Sequence, residues 1–197
     1  LIVTINRAKP EFRDPKKAVS GNSVKGGYPK CTICRTNEGY FGRNKRTLRT
    51  VSLELDGERW FWQFSPYGYF HEHGIAVNEK HIPMHVDRST FVKLMQFVDM
   101  FPHYFIGSGI GGSVLAHDHF QGGGETLPLH RAPVSVALRH PDFPDLEAGV
   151  LDWPGTVVRI TGQDAQRIAD LSEIVREAWC SYSDAARGIV SEDKDGV

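Results

Sequence analysis

The apolar positions along this chain change period several times, and each change marks an element. Residues 50–55 (TVSLEL) alternate, Asp56-Gly57 is a turn pair, and residues 59–64 (RWFWQF) are dense in β-prone aromatics, so this stretch reads as a hairpin. A further strand is expected over 69–78 (YFHEHGIAVN). From Arg88 to Phe101 the period becomes helical: Ser89 or Thr90 can cap, and Phe91, Leu94, Met95, Val98 and Phe101 share one stripe. Strand signals return at 104–107, 113–120, 132–138 and 156–161. Ile168, Leu171, Ile174, Val175, Ala178, Trp179 and Tyr182 then form the apolar face of the longest helix, which Gly188 can end. Many strands with two well-separated helices predict an α+β fold, a mostly antiparallel sheet with helices packed on it. The first 27 residues, without periodicity, read as an extended arm or loop, and residues 28–197 as the domain.

Composition narrows this picture. At 197 residues the chain can bury a proper core, and a net charge of −1 gives no basic surface for nucleic acid and no acidic tail. The apolar runs are too short for a membrane span, and Leu1-Ile2-Val3 has no charged leader before it. The missing initiator methionine and the turn-like end Asp195-Gly196-Val197 suggest a piece of a longer protein. Three cysteines do not make a secreted disulfide framework, so a reducing, cytoplasmic compartment is expected. The run Trp60-Phe61-Trp62 reads first as core, and second as the interface of a homodimer.

The chemistry concentrates in two places. In VLAHDHFQGG (114–123), strand alternation would put His117, His119 and Gln121 on one face, with Asp118 and Phe120 on the other, before three glycines that let the chain turn away. A neutral imidazole is a competent nucleophile near neutral pH, and attack on phosphorus would split a transfer into two displacements. The glycine-rich segment 107–113 lies immediately upstream and can supply N–H donors to a developing charge. The alternatives are plain surface polarity or a metal site. The second place is Cys31-Thr32-Ile33-Cys34. A redox pair wants a helix beginning at the first cysteine, whereas Tyr28-Pro29-Lys30 before and Asn37-Glu38-Gly39 after suggest a tight turn offering two thiolates to a metal. Two histidines would complete a tetrahedron, and spacing does not choose among His71, His73, His81, His85, His103 and His117. Free, half-buried thiols are the alternative.

Several stretches together resemble one family: YPKCTIC (28–34), NEGYFGR (37–43), SPY (65–67), EKHIPM (79–84), FPHYFIGS (101–108), GGSVLAHDHFQGG (111–123) and LDWPGTVVRIT (151–161). They are similar to the second, bacterial class of galactose-1-phosphate uridylyltransferases, or UDP-glucose–hexose-1-phosphate uridylyltransferases, of the histidine-triad superfamily. The resemblance implies a histidine-triad-like fold and a ping-pong transfer in galactose metabolism. His119 would take the uridylyl group from UDP-glucose, releasing glucose 1-phosphate, and galactose 1-phosphate would discharge it as UDP-galactose. Gln121 would hydrogen-bond the transferred phosphoryl group. Hydrolytic members of the superfamily carry a third histidine there, and an amide, which cannot act as an acid, favours transfer. Ser113 is the candidate for a further phosphate contact. The resemblance also gathers Cys31, Cys34, His81 and His117 around a structural zinc. It departs from the family in the loop between Ser108 and Ser113, which is shorter and lacks an Asn-Ala-Asp run. Asp118 stands where the first class has proline. Two alternatives carry the same motif: a related nucleotide phosphorylase or adenylyltransferase, and a zinc-stabilised nucleotide-sugar-binding domain with little turnover.

Overall fold

The structure is a computed structural model that describes residues 28–41, 46–65, 68–109 and 114–191. The expected arm, Ser113 and the segment 110–113 lie outside the described residues. The chain packs as two compact units: one holds the described residues up to Val86 with Lys93–Pro128, the other Asp87–Val92 with the residues from Leu129 onward.

The first unit is built on a five-stranded antiparallel sheet. Its strands are β1 (Val51–Leu55), β2 (Glu58–Phe64), β3 (Gly74–Asn78), β4 (Phe105–Gly107) and β5 (His119–Gly123), in the order β1-β2-β3-β5-β4. The β1–β2 hairpin closes on Asp56 and Gly57, whose φ angles of 51° and 71° are those of the tight turn expected for this dipeptide. Register assigns the two faces. Trp62 pairs with Ala76 and Ala76 with Phe120, while Phe61 pairs with Val77 and Val77 with His119. The first set joins Leu55, Trp60 and Phe97 in the core, with Leu94, Val98 and Phe101 packed against it. Trp60 stacks on Phe120 at 4.5 Å between ring centroids. The aromatic run of β2 is therefore core, buried on both faces of the sheet.

Helix α1 (Arg88–Met100) supplies Phe97, the fully buried position of a stripe expected to run through its neighbours. Its cap is Asp87 rather than Ser89 or Thr90: the carboxylate accepts from the Thr90 amide at 2.9 Å, and Thr90 Oγ1 accepts from the Asp87 amide at 3.2 Å.

The expected strand at 113–120 begins six residues later, at His119, and runs to Gly123 as β5. Residues 115–118 give their backbone groups to flanking segments instead: Met84 N–H donates to Leu115 O, Asp118 N–H to Ile82 O, and Asn78 N–H to Asp118 O. Gly122 and Gly123 do not turn the chain away; they lie inside the strand. A Cβ at Gly122 would sit 2.0 Å from the Phe105 carbonyl oxygen, so that position needs glycine for close approach to β4. The expected strand at 69–78 is confined to Gly74–Asn78.

The second unit contains a three-stranded antiparallel sheet of β6 (Val134–Leu138), β7 (Glu147–Leu151) and β8 (Val158–Thr161), in sequence order. The expectation missed β7, whose EAGVL shows little alternation. Helix α2 (Ala165–Cys180) follows, capped by Asp164, which accepts from the Gln166 and Arg167 amides, and it buries Ile168, Ala169 and Leu171. It ends at Ser181. Gly188, expected to end it, instead closes the short 3-10 turn Ala185–Arg187 with φ 69°. Among the described residues no helix is long and apolar enough to cross a membrane. The α+β class holds, with both sheets antiparallel and neither closed into a barrel.

Candidate active site and metal centre

The cysteine pair sits on a turn whose backbone is held by one side chain. Asn37, fully buried at the end of the 3-10 turn Arg35–Asn37, donates from Nδ2 to the carbonyls of both Cys31 (2.8 Å) and Cys34 (2.9 Å). Short amides commonly bind nearby backbone in this way, and that was the available signal for a residue the sequence reading left without a role. Gln63 of β2 donates to Ile33 O at 3.1 Å, which fastens the turn to the sheet face opposite α1. On that face the Arg35 guanidinium lies 4.5 Å from the centre of the Phe61 ring.

Of the six candidate histidines, two reach the thiols. His117 Nδ1 lies 3.2 Å from Cys31 Sγ and 3.5 Å from Cys34 Sγ, His81 Nδ1 lies 3.2 Å from Cys34 Sγ, and the sulfurs are 3.3 Å apart. The four donor atoms all fall within 4.8 Å of one another and could hold a metal ion. A tetrahedral ion with the usual zinc–sulfur and zinc–nitrogen lengths spaces its donors about 3.3–3.8 Å apart, so these side chains are nearly in place. The far nitrogen of His117, Nε2, donates to the Asn78 carbonyl at 2.8 Å, which leaves Nδ1 free as the ligand atom. The contact with the Cys31 sulfur, followed by the hydrogen bonds of His117 and His81, draws the Cys34 thiol down against its burial, while the same sulfur contact and burial push Cys31 up.

His119 opens β5 and is buried, on the same sheet face as the cysteine turn. Its Nδ1 is 2.8 Å from the His117 carbonyl oxygen. A carbonyl only accepts, so Nδ1 carries a proton, and in the neutral ring Nε2 presents the lone pair. The Gln121 amide nitrogen lies 3.5 Å from that Nε2. His119 and Gln121 thus share a face as expected. His117 precedes the strand, and its ring turns to the cysteines, which lie on that same face.

Asp118 lies on the other side of the chain, 2 % exposed, with its carboxyl pushed up by burial. Its Oδ2 accepts from Asn78 Nδ2 at 3.4 Å and is 3.9 Å from His85 Nδ1. The remaining histidines lie elsewhere. His71 and His103 flank the Glu72 carboxylate at 3.8 and 3.6 Å in an exposed cluster, His73 is buried beside Tyr69 and Phe70, and His130 and His140 belong to the second unit.

Comparison with known proteins gives one consistent answer. The chain is 61% identical over 201 residues to a galactose-1-phosphate uridylyltransferase of Bifidobacterium longum, a match covering 100% of this chain and 39% of that relative. Proteins of the same name from Caldanaerobacter subterraneus and Butyrivibrio fibrisolvens are each 40% identical, over 100% and 98% of the chain and 40% and 52% of their own lengths. The chain therefore spans about two fifths of the length of the first curated relatives it matches. No family model matches the chain, and no solved structure matches it significantly.

Proposed function

From its 61% identity to one galactose-1-phosphate uridylyltransferase and 40% to others, we propose that the chain belongs to that family, carries a uridylyl-transfer site and serves the exchange between UDP-glucose and galactose 1-phosphate. His119 is the nucleophile. Its Nε2 attacks the α-phosphorus of UDP-glucose, an N–P bond forms, and the bond from that phosphorus to the bridging oxygen breaks, releasing glucose 1-phosphate. A phosphate oxygen of galactose 1-phosphate then attacks the same phosphorus, the N–P bond breaks, and UDP-galactose leaves with His119 restored. Both leaving group and acceptor are already anionic, so no acid is needed at position 121. The Gln121 amide instead donates to an oxygen of the transferred phosphoryl group. Ser113, outside the described residues, is assigned to a second phosphate contact.

The observation that carries this reading is the bond from His119 Nδ1 to the His117 carbonyl, 2.8 Å long, which keeps the lone pair on Nε2 beside Gln121. Cys31, Cys34, His81 and His117 are proposed to hold a zinc ion in a closed structural site, its chemistry limited to tying the cysteine turn and residue 81 to the root of β5. Their reduced thiols accord with a cytoplasmic enzyme.

The test is to incubate the metal-loaded protein with UDP-glucose labelled on the α-phosphate, quench without acid and weigh the intact chain. A uridylyl adduct that galactose 1-phosphate discharges, absent in His119→Asn, is expected. A folded, metal-loaded protein that binds UDP-glucose and forms no adduct would replace this reading with a nucleotide-sugar-binding role.

A further inference from the structure

A buried polar string runs from α1 to the root of β5. Lys93, 3 % exposed, pairs with Glu58 Oε2 at 2.7 Å, and Asn78 Nδ2 reaches the same oxygen at 3.5 Å and Asp118 Oδ2 at 3.4 Å. Asn78 and Asp118 are each 2 % exposed. Groups so desolvated are costly unless they are paired, and paired they fix a single arrangement.

That arrangement ends on the two histidines. Asn78 is gripped three times by residues 117 and 118: its amide donates to Asp118 O at 3.0 Å, its side chain donates to Asp118 Oδ2, and its carbonyl accepts from His117 Nε2 at 2.8 Å. The peptide unit between His117 and Asp118 is planar. Its N–H donates to Ile82 O at 2.7 Å, and its C=O accepts from His119 Nδ1 at 2.8 Å. Turning that plane would break both bonds at once. The Asp118 carboxylate itself is on the sheet face away from His119 and Gln121, so it does not touch the reacting atoms.

We propose that Asp118 is a positioning residue: its carboxylate, through Asn78, locks the His117–Asp118 peptide unit so that the His117 carbonyl holds the proton of His119 on Nδ1. The lone pair of Nε2 is then fixed before substrate arrives. The catalytic consequence of this rests on the uridylyl-transfer reading, whereas the tautomer itself does not.

The experiment is therefore in two parts, made on the metal-loaded 197-residue chain. Nitrogen NMR of histidine-labelled protein reads which nitrogen of His119 is protonated, in the wild type, Asp118→Asn and Asp118→Leu. Adduct formation with UDP-glucose is then timed in the same three proteins. Asp118→Asn keeps an acceptor oxygen for Asn78; it is expected to keep the Nδ1–H tautomer and an adduct rate within about threefold of wild type. Asp118→Leu is expected to populate both tautomers and to slow the adduct about 10–100-fold, as loss of an outer-shell partner commonly does, with the KM for UDP-glucose unchanged. A folded Asp118→Leu with a pure Nδ1–H tautomer would overturn the proposal, as would an Asp118→Asn that populates both tautomers. If Asp118→Leu does not fold, Asn78→Ala removes the same contact from the other side and decides in its place. Tautomer changes without any adduct in the wild type would sink the transferase reading and leave the positioning role standing.

Discussion

The two sheets share an antiparallel architecture and differ in what covers them. In the five-stranded sheet every residue of β3 is buried, because α1 packs on one face and the cysteine turn and its neighbours cover the other. In the three-stranded sheet every residue of β6 is exposed, including Val134, Val136 and Leu138. Both strands are apolar in sequence, so β-propensity does not separate them. Covering does. A strand closed to water on both sides can hold His119 with a fixed proton and His117 with a fixed ligand atom, since water offers neither ring an alternative partner. The histidines of the second unit differ in this respect: His130 is exposed and His140 half-buried.

The strongest way to break this contrast is to remove the zinc ion proposed for the Cys31, Cys34, His81 and His117 cluster. Structural zinc in small domains contributes about 10–16 kcal/mol of apparent binding free energy near neutral pH. Chelation, or Cys34→Ser, is expected to unfold the first unit, and the emission of buried Trp60 and Trp62 should move to the red. Trp153 and Trp179, 39 % and 62 % exposed, should change little; single-tryptophan variants separate the two signals. An unchanged Trp60 signal after complete metal removal would show that the cysteine turn is held by Asn37 and Gln63 alone.

Next in size is the core itself. Trp60→Ala leaves a void against Phe120 and is expected to cost about 3–5 kcal/mol in urea denaturation, whereas Val136→Ala on exposed β6 should stay within about 0.5 kcal/mol. Equal losses at the two positions would mean that β6 is covered in solution.

The pair of buried Lys93 and half-buried Glu58 sharpens the comparison with a pH signature. The lysine's hydrogen bond holds the Glu58 carboxyl below its usual range. A depressed folded pKa contributes stability that is complete above the unfolded value and lost as pH falls through the folded one. Glu58→Gln should therefore cost about 1–3 kcal/mol at neutral pH, with the difference from wild type closing in acid below the folded pKa. The smallest effect is expected at the α2 cap, where Asp164→Ala removes two amide contacts and should cost about 1 kcal/mol by thermal melting.

How much of this was legible in the chain depends on the range of the interaction. The β1–β2 hairpin, the α1 stripe, the α2 face and the α+β class rest on local period and on a turn dipeptide, and all could be read from residues in order. The same holds for the cysteine turn, whose flanks argue against a redox helix, and for the pairing of His119 with Gln121 on one face. What alternation alone did not reveal was the set of partners that His117 meets. That histidine lies two residues from His119, but its backbone neighbours bond to residues 78, 82 and 84 instead of a ladder, so it leaves the strand and turns to the thiols. Choosing His81 and His117 from six histidines needed the resemblance, because no spacing rule brings residue 81 to residue 34; only the folded unit does. Asn37, Asn78 and Asp118 were polar residues in a string of letters until burial removed water as their partner. The sequence by itself determined which segments would be strands and helices and which atoms could do chemistry. Tertiary structure decided which of those atoms meet and which nitrogen keeps the proton, because both depend on desolvation and on contacts between residues tens of positions apart.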